Sequence, residues 1–271
     1  MENDRSESRL HPVKSARFST DGDPRFGILD DDDLVVLAGD PMFHGFETTG
    51  ERVPLAQAKI LAPVIPRSKV ICVGMNYAAH RAEMGHEGPS TPLIFLKPNT
   101  AVVGPGDAIV IPPVDGRIVH EGELALVIGK IAKRVKKEDW RDVVFGVTIA
   151  NDVSARDVMF ADGQWARAKG YDTFCPLGPY IDTEIDPTAL EIETYVDGEL
   201  RRKGNTRDLL HGIPELIEFI TDVWTLLPGD VILTGTPDGL GSFVDGQTVD
   251  ITIEGLGTLS NPAKNRDDRD Y

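Results

Sequence analysis

His120-Glu121-Gly122-Glu123-Leu124-Ala125-Leu126-Val127-Ile128-Gly129 is an unbroken apolar run with two acids at its entrance. Its length and its glycine boundary predict a β-strand rather than a helix. Alternate side chains of a strand share a face, so Glu121 and Glu123 are expected to point the same way, with Cβ atoms roughly 7 Å apart. Two carboxylates that close repel each other unless a positive charge lies between them. A divalent cation is one resolution; a solvated strand face is the other, and spacing alone does not choose between them.

Further strands are predicted on both sides of this one. Upstream lie Arg25-Phe26-Gly27-Ile28-Leu29, Leu34-Val35-Val36-Leu37-Ala38, Lys69 to Gly74, Pro92 to Pro98 and Ala108 to Pro113. Downstream lie Val143 to Ala150, Ile192 to Val196, Val231 to Thr234 and Val249 to Ile253. Gly104-Pro105-Gly106-Asp107, Pro228-Gly229-Asp230 and Asp245-Gly246 punctuate them. Helices are few. Ile213 to Thr225 carries apolar residues at 213, 216, 217, 220, 223 and 224, a 3.6-residue period, and Ala78 to Met84 is a shorter candidate. The tail from Lys264 to Tyr271 is charged and predicted to fray. The pattern is that of a β-rich α+β protein, not a βαβ alternation. A proline-rich linker from Ala62 to Arg67 sets a boundary between a small β-rich N-terminal domain, residues 1–65, and a larger domain, residues 66–271.

Composition narrows the function classes. The 271 residues are 41% hydrophobic and carry a formal net charge of −16. That field repels nucleic acid and anionic membrane surfaces, and no basic stripe offsets it. Two cysteines, Cys72 and Cys175, make no disulfide scaffold. The charged start Met1-Glu2-Asn3-Asp4-Arg5 does not read as a signal peptide, and no apolar run has membrane-spanning length. A cytoplasmic protein is expected. Four successive acids, Asp30 to Asp33, are read as a solvated turn, because calcium loops alternate their ligands.

Other chemistry-bearing residues lie along the chain. Asp152 ends the apolar run Val147-Thr148-Ile149-Ala150-Asn151, where an acid faces either a turn or a site. Three carboxylates with water would suit octahedral Mg²⁺ or Mn²⁺, while no Cys/His cluster has zinc spacing. If residues 78–84 are helical, His80 and Glu83 share a face, the arrangement of an oriented general base. Gly163-Gln164-Trp165 leads to Lys169, a candidate for a substrate carboxylate or a developing enolate. Thr234-Gly235-Thr236-Pro237-Asp238-Gly239-Leu240-Gly241 lacks the lysine and spacing of a phosphate loop.

Seven motifs stand in order: Gly74-Met75-Asn76-Tyr77-Ala78-Ala79-His80, His120-Glu121-Gly122-Glu123-Leu124, Asn151-Asp152-Val153-Ser154-Ala155-Arg156-Asp157, Gly163-Gln164-Trp165 with Lys169-Gly170-Tyr171-Asp172-Thr173-Phe174, Leu227-Pro228-Gly229-Asp230-Val231-Ile232, Thr234-Gly235-Thr236-Pro237 and Leu259-Ser260-Asn261-Pro262. In this order they resemble the catalytic domain of the fumarylacetoacetate hydrolase family, from about Ile65 to Pro262. The resemblance implies a mixed β-sandwich roll, a homodimer, and Glu121, Glu123 and Asp152 as ligands of Mg²⁺, with Mn²⁺ as the alternative. It implies His80 with Glu83 as a water-activating dyad on a lid. Lys169 would be catalytic, while Gln164, Thr236, Tyr77 and Arg156 would bind substrate. The larger eukaryotic-type members add a fourth acidic ligand. Cys72 to Met75 offers no carboxylate, so water is expected there.

The activity implied is hydrolysis of the C–C bond of an acylpyruvate-type 1,3-diketo acid, such as fumarylpyruvate, in aromatic catabolism. Oxaloacetate decarboxylation and isomerisation or decarboxylation of 2-hydroxyhepta-2,4-diene-1,7-dioate are alternatives at the same metal. A non-catalytic module that binds an oxo acid is the alternative from another class.

Overall fold

A computed structural model of the chain describes residues 13–78, 90–237, 239 and 241–267. At its centre the strand Gly122–Ile128 is buried at all seven positions. It runs antiparallel to Val144–Asn151 on one side and to Val231–Leu233 on the other. Val231–Leu233 pairs in parallel with Val70–Gly74, which pairs with Leu93–Lys97. In the other direction Val144–Asn151 pairs with Cys175–Asp182. The sheet then continues through Lys14–Ser19, Arg25–Asp30, Asp33–Leu37 and Thr48–Pro54. The described part of residues 1–65 therefore extends the large sheet from the register Lys14↔Asp182.

A second sheet holds five strands among the described residues, in the order Glu199–Asn205, Glu191–Val196, Thr248–Ile253, Gly257–Asn265 and Ile109–Ile111. Alternation on the central strand divides the core. Leu124, Leu126 and Ile128 pack in one cluster with Ile192, Ile251 and Ile253 and with Leu216, Ile217 and Ile220 of the helix Ile213–Val223. Ala125 and Val127 belong to another cluster, with Val70, Cys72, Val231, Leu233 and Leu177. Each fully buried aliphatic side chain contributes about 1.5–3 kcal/mol, so a strand clad on both faces is rigid ground for a site. This is the β-rich α+β architecture that the strand pattern predicts, and its sheets are mixed, as the family resemblance implies.

The departures have local causes. The helix stops at Val223, two residues before its predicted end, because Trp224 is extended with ψ 148°. The tail does not fray at Lys264. The strand Gly257–Asn265 carries it onward, pairing Lys264 with Val110 and Asn265 with Ile111. Thr48–Pro54 and Glu199–Asn205 are strands whose mostly polar, exposed residues conceal them from a periodicity reading. The helix proposed for Ala78 to Met84 lies, beyond Ala78, outside the described residues.

Candidate metal centre

The register of two central strands builds the site. Gly122 faces Asn151 and Glu123 faces Ala150, so the entrance of one strand adjoins the exit of the other. The Asp152 N–H donates to the Glu121 carbonyl at 2.9 Å, and the Glu121 N–H donates to Asn151 Oδ1 at 3.0 Å. These bonds hold Glu121 beside Asp152. Gly122 is required between the two glutamates, because a Cβ there would stand 2.5 Å from Thr194 Oγ1. Glu123 and Glu121 occupy the alternate positions that continue the Ala125 and Val127 register. Glu123 Oε2 accepts the Gly235 N–H at 2.6 Å, which ties the strand to the loop after Val231–Leu233.

Glu121, Glu123 and Asp152 are all buried, and each offers an oxygen within 4.8 Å of those of the other two. Burial first, then the charges of Asp152 and Glu121, pushes the Glu123 carboxyl well above the ordinary carboxylate range. A hard divalent cation would relieve that repulsion, and an all-oxygen donor set suits Mg²⁺ or Mn²⁺. The residues present therefore fit such an ion.

Cations surround the trio. Lys169 ends the short helix Ala166–Lys169, and its Nζ donates to Glu121 Oε2 and to Asp152 Oδ2, both at 2.6 Å. Burial pulls Lys169 down, yet Asp152 and Glu121 together hold it above the ordinary lysine value. Its Nζ also lies 5.2 Å from the centre of the Phe95 ring. Arg156 Nη1 is 3.8 Å from Glu121 Oε1. Lys97, placed in no site by the sequence reading, is 1% exposed and donates to Asp152 Oδ1 at 2.5 Å and to the Val153 carbonyl at 3.1 Å. The available signal was a lysine closing the apolar run Leu93-Ile94-Phe95-Leu96.

A small cavity reaches the acids, with Gly74, Trp165 and Thr236 also in its wall. A Cβ at Gly74 would meet the Trp165 ring at 2.5 Å. Thr236 is buried, and its Oγ1 accepts from Arg202 Nη1. The Tyr77 hydroxyl is buried without a hydrogen-bond partner among the described residues. Burial, then Glu123 and Asp208, raises its phenol above the ordinary value. Gln164 is not brought into the cavity: it is exposed, and its Oε1 accepts the Ala166 N–H at 2.8 Å. His80 and Glu83 lie outside the described residues. A larger cleft of about 470 Å³, lined by Arg17, Phe43 and Ile65 among others, gathers no trio of acids.

The profile described as "Fumarylacetoacetate (FAA) hydrolase C-terminal" matches residues 69–264, and the one described as "Rv2993c-like, N-terminal" matches residues 14–63. The chain belongs to the fumarylacetoacetate hydrolase family. Protein Rv2993c of Mycobacterium tuberculosis is 52% identical over 225 residues, covering 81% of this chain and 84% of the relative. The oxaloacetate tautomerase YisK of Bacillus subtilis is 43% identical over 221 residues, covering 76% of this chain and 73% of the relative. Among solved structures, 5-carboxymethyl-2-hydroxymuconate delta-isomerase from Mycobacterium smegmatis superposes with a TM-score of 0.87 at 47% identity, covering 93% of this chain and 100% of that one. Maleylpyruvate hydrolase from Sphingobium sp. SYK-6, in complex with manganese (II) ion and pyruvate, superposes with a TM-score of 0.79 at 36% identity, covering 94% and 100%. The family and the fold expected from the seven motifs are thus established. No helix of the described residues is long and apolar enough to cross a membrane.

Proposed function

We propose that this protein is a metal-dependent enzyme that interconverts the keto and enol forms of a 2-oxo dicarboxylic acid, with oxaloacetate as the leading substrate. The observation that carries this reading is the buried trio Glu121, Glu123 and Asp152 with the Lys169 ammonium 2.6 Å from two of its members. The names of the tautomerase relative and the isomerase neighbour favour this reaction over the hydrolysis that the motifs alone suggested. Glu121, Glu123 and Asp152 would hold one Mg²⁺ or Mn²⁺, which when bound supplies Lewis acidity to the 2-oxo acid end.

The reaction moves one proton. It leaves the carbon beside the 2-oxo group, the C–H pair becomes the C=C bond, and the carbonyl oxygen gains a proton. Lys169 holds a proton at Nζ, raised and buried among acids, where a developing enolate oxygen would be stabilised. His80 oriented by Glu83 is assigned the carbon-bound proton, Arg156 lines the cavity, and Tyr77 is assigned to substrate binding. The same dyad acting on water instead of carbon would produce acylpyruvate hydrolysis. That second reading draws on the maleylpyruvate hydrolase neighbour. A cytoplasmic homodimer completes the proposal, with residues 1–65 as a small N-terminal domain whose strands extend the large sheet of the rest.

The test follows enol-oxaloacetate by its ultraviolet absorbance with Mg²⁺ or Mn²⁺, beside fumarylpyruvate, acetylpyruvate and a 2-hydroxy-diene-dioate. Faster keto–enol exchange that stops in EDTA is expected. Turnover of fumarylpyruvate to pyruvate with no effect on oxaloacetate would move the assignment to hydrolysis. Inertness towards all four would favour a binding module.

A further inference from the structure

Arg202 stands on Glu199–Asn205, an exposed hairpin strand of the second sheet, yet it is itself 3% exposed. Its guanidinium crosses to the loop beside the metal centre. Nε donates to the Gly239 carbonyl at 2.6 Å, and Nη1 donates to Thr236 Oγ1. A guanidinium only donates, so the Thr236 hydroxyl must accept there. Its single proton is then directed elsewhere, and Thr236, 4% exposed, lies in the wall of the cavity that holds the three acids. The loop is held from both sides, since the Gly235 N–H donates to Glu123 Oε2. Pro237 is seated against Gly204, where a Cβ would meet the proline ring at 2.4 Å.

Charge points the same way. The buried acids Glu121, Glu123 and Asp152 are matched by the buried cations Lys97, Lys169 and Arg156, with Arg202 as a fourth cation behind Thr236. A divalent ion held by the acids would leave this cavity with excess positive charge. Such a cavity favours a doubly charged anion over a singly charged one.

We propose that Arg202 is a positioning residue that fixes the Thr236 hydroxyl as a donor, and that this pair selects substrates with a second carboxylate. The inference rests on the metal-dependent reading above, and to the substrate-binding role that the family resemblance implies for Thr236 it adds Arg202, which lies outside the metal ligands. Binding is measured by calorimetry on Mn²⁺-loaded protein with 2-oxoglutarate, a dianion, and 2-oxopentanoate, a monoanion with the same 2-oxo acid head. Wild-type protein is expected to favour the dianion by about tenfold or more. Thr236→Val, nearly isosteric, and Arg202→Met should each remove most of that preference by weakening the dianion alone, while Mn²⁺ affinity stays unchanged. Thr236→Ser should restore it, and the double variant should lose no more than either single one. Equal weakening of both ligands, or an unchanged ratio, would overturn the assignment; should Arg202→Met not fold, Thr236→Val and Thr236→Ser decide alone. A wild-type protein that takes up Mn²⁺ but prefers neither ligand overturns this inference only. One that takes up no Mn²⁺ overturns the functional reading beneath it as well.

Discussion

The chain gathers acids in two places, and they behave oppositely. Asp30 to Asp33 are four in succession, yet they sit at an exposed hairpin tip where Asp30 pairs with Asp33 in register. Arg52 bridges the ends of the run, 2.8 Å from Asp30 and 3.1 Å from Asp33, in a solvated pair. Glu121, Glu123 and Asp152 are scattered through 32 positions of sequence, yet strand register brings their oxygens within 4.8 Å of one another in the interior. Density of charge in sequence makes no site. Burial does, because water no longer screens the repulsion and each acid needs a cation.

The largest effect is expected at the cation behind the buried trio. Lys97→Met leaves Asp152 Oδ1 without its buried partner, and breaking such a pair costs about 3–5 kcal/mol. Urea unfolding in EDTA measures it; a loss no greater than that of a surface variant would erase the contrast between the two clusters. Next, Glu123→Gln should lower Mn²⁺ affinity by roughly a hundredfold or more in calorimetry, and turnover with it. Retained affinity would mean that Glu123 is no ligand.

A third effect depends on pH. Burial pushes the Cys175 thiol from 9.0 up to about 12. The unfolded thiol therefore ionises first, the folded chain binds more protons between these values, and stability should fall as pH rises from 9 towards 12. The slope is about 1.4 kcal/mol per pH unit for that group, and unfolding midpoints at pH 8, 9 and 10 reveal it. Cys175→Ala should flatten the decline, and an equal decline in that variant would contradict it. The smallest effect is at the tip, where Asp31→Asn with Asp32→Asn should leave metal uptake unchanged.

Much of this contrast was legible beforehand, and the remainder was not for physical reasons. An unbroken apolar run bounded by glycine marked the central strand, and i, i+2 spacing placed Glu121 and Glu123 on one face. The turn reading of Asp30 to Asp33 also held, since the hairpin turns at Asp31 with φ 53°. Spacing could not join Asp152 to the pair, because that proximity arises from the pairing of Gly122 with Asn151. Only the ordered family motifs supplied it. Lys97 was overlooked because a lysine ending an apolar strand looks solvated until its Nζ is found buried on Asp152. Arg202 was hidden by its exposed, polar hairpin, which carries no periodic signal. Gln164 was drawn in by its motif, yet it serves the backbone of the Ala166–Lys169 helix.

The central claim is that the buried trio, and not the acidic run, holds one divalent ion. Mn²⁺ titration followed by electron paramagnetic resonance tests it on three proteins: wild type, Glu121→Gln with Glu123→Gln, and Asp31→Asn with Asp32→Asn. One tightly bound ion per chain is expected for the wild type and the tip variant, and none for the trio variant. Tight uptake that survives in the trio variant, or disappears in the tip variant, would contradict the claim.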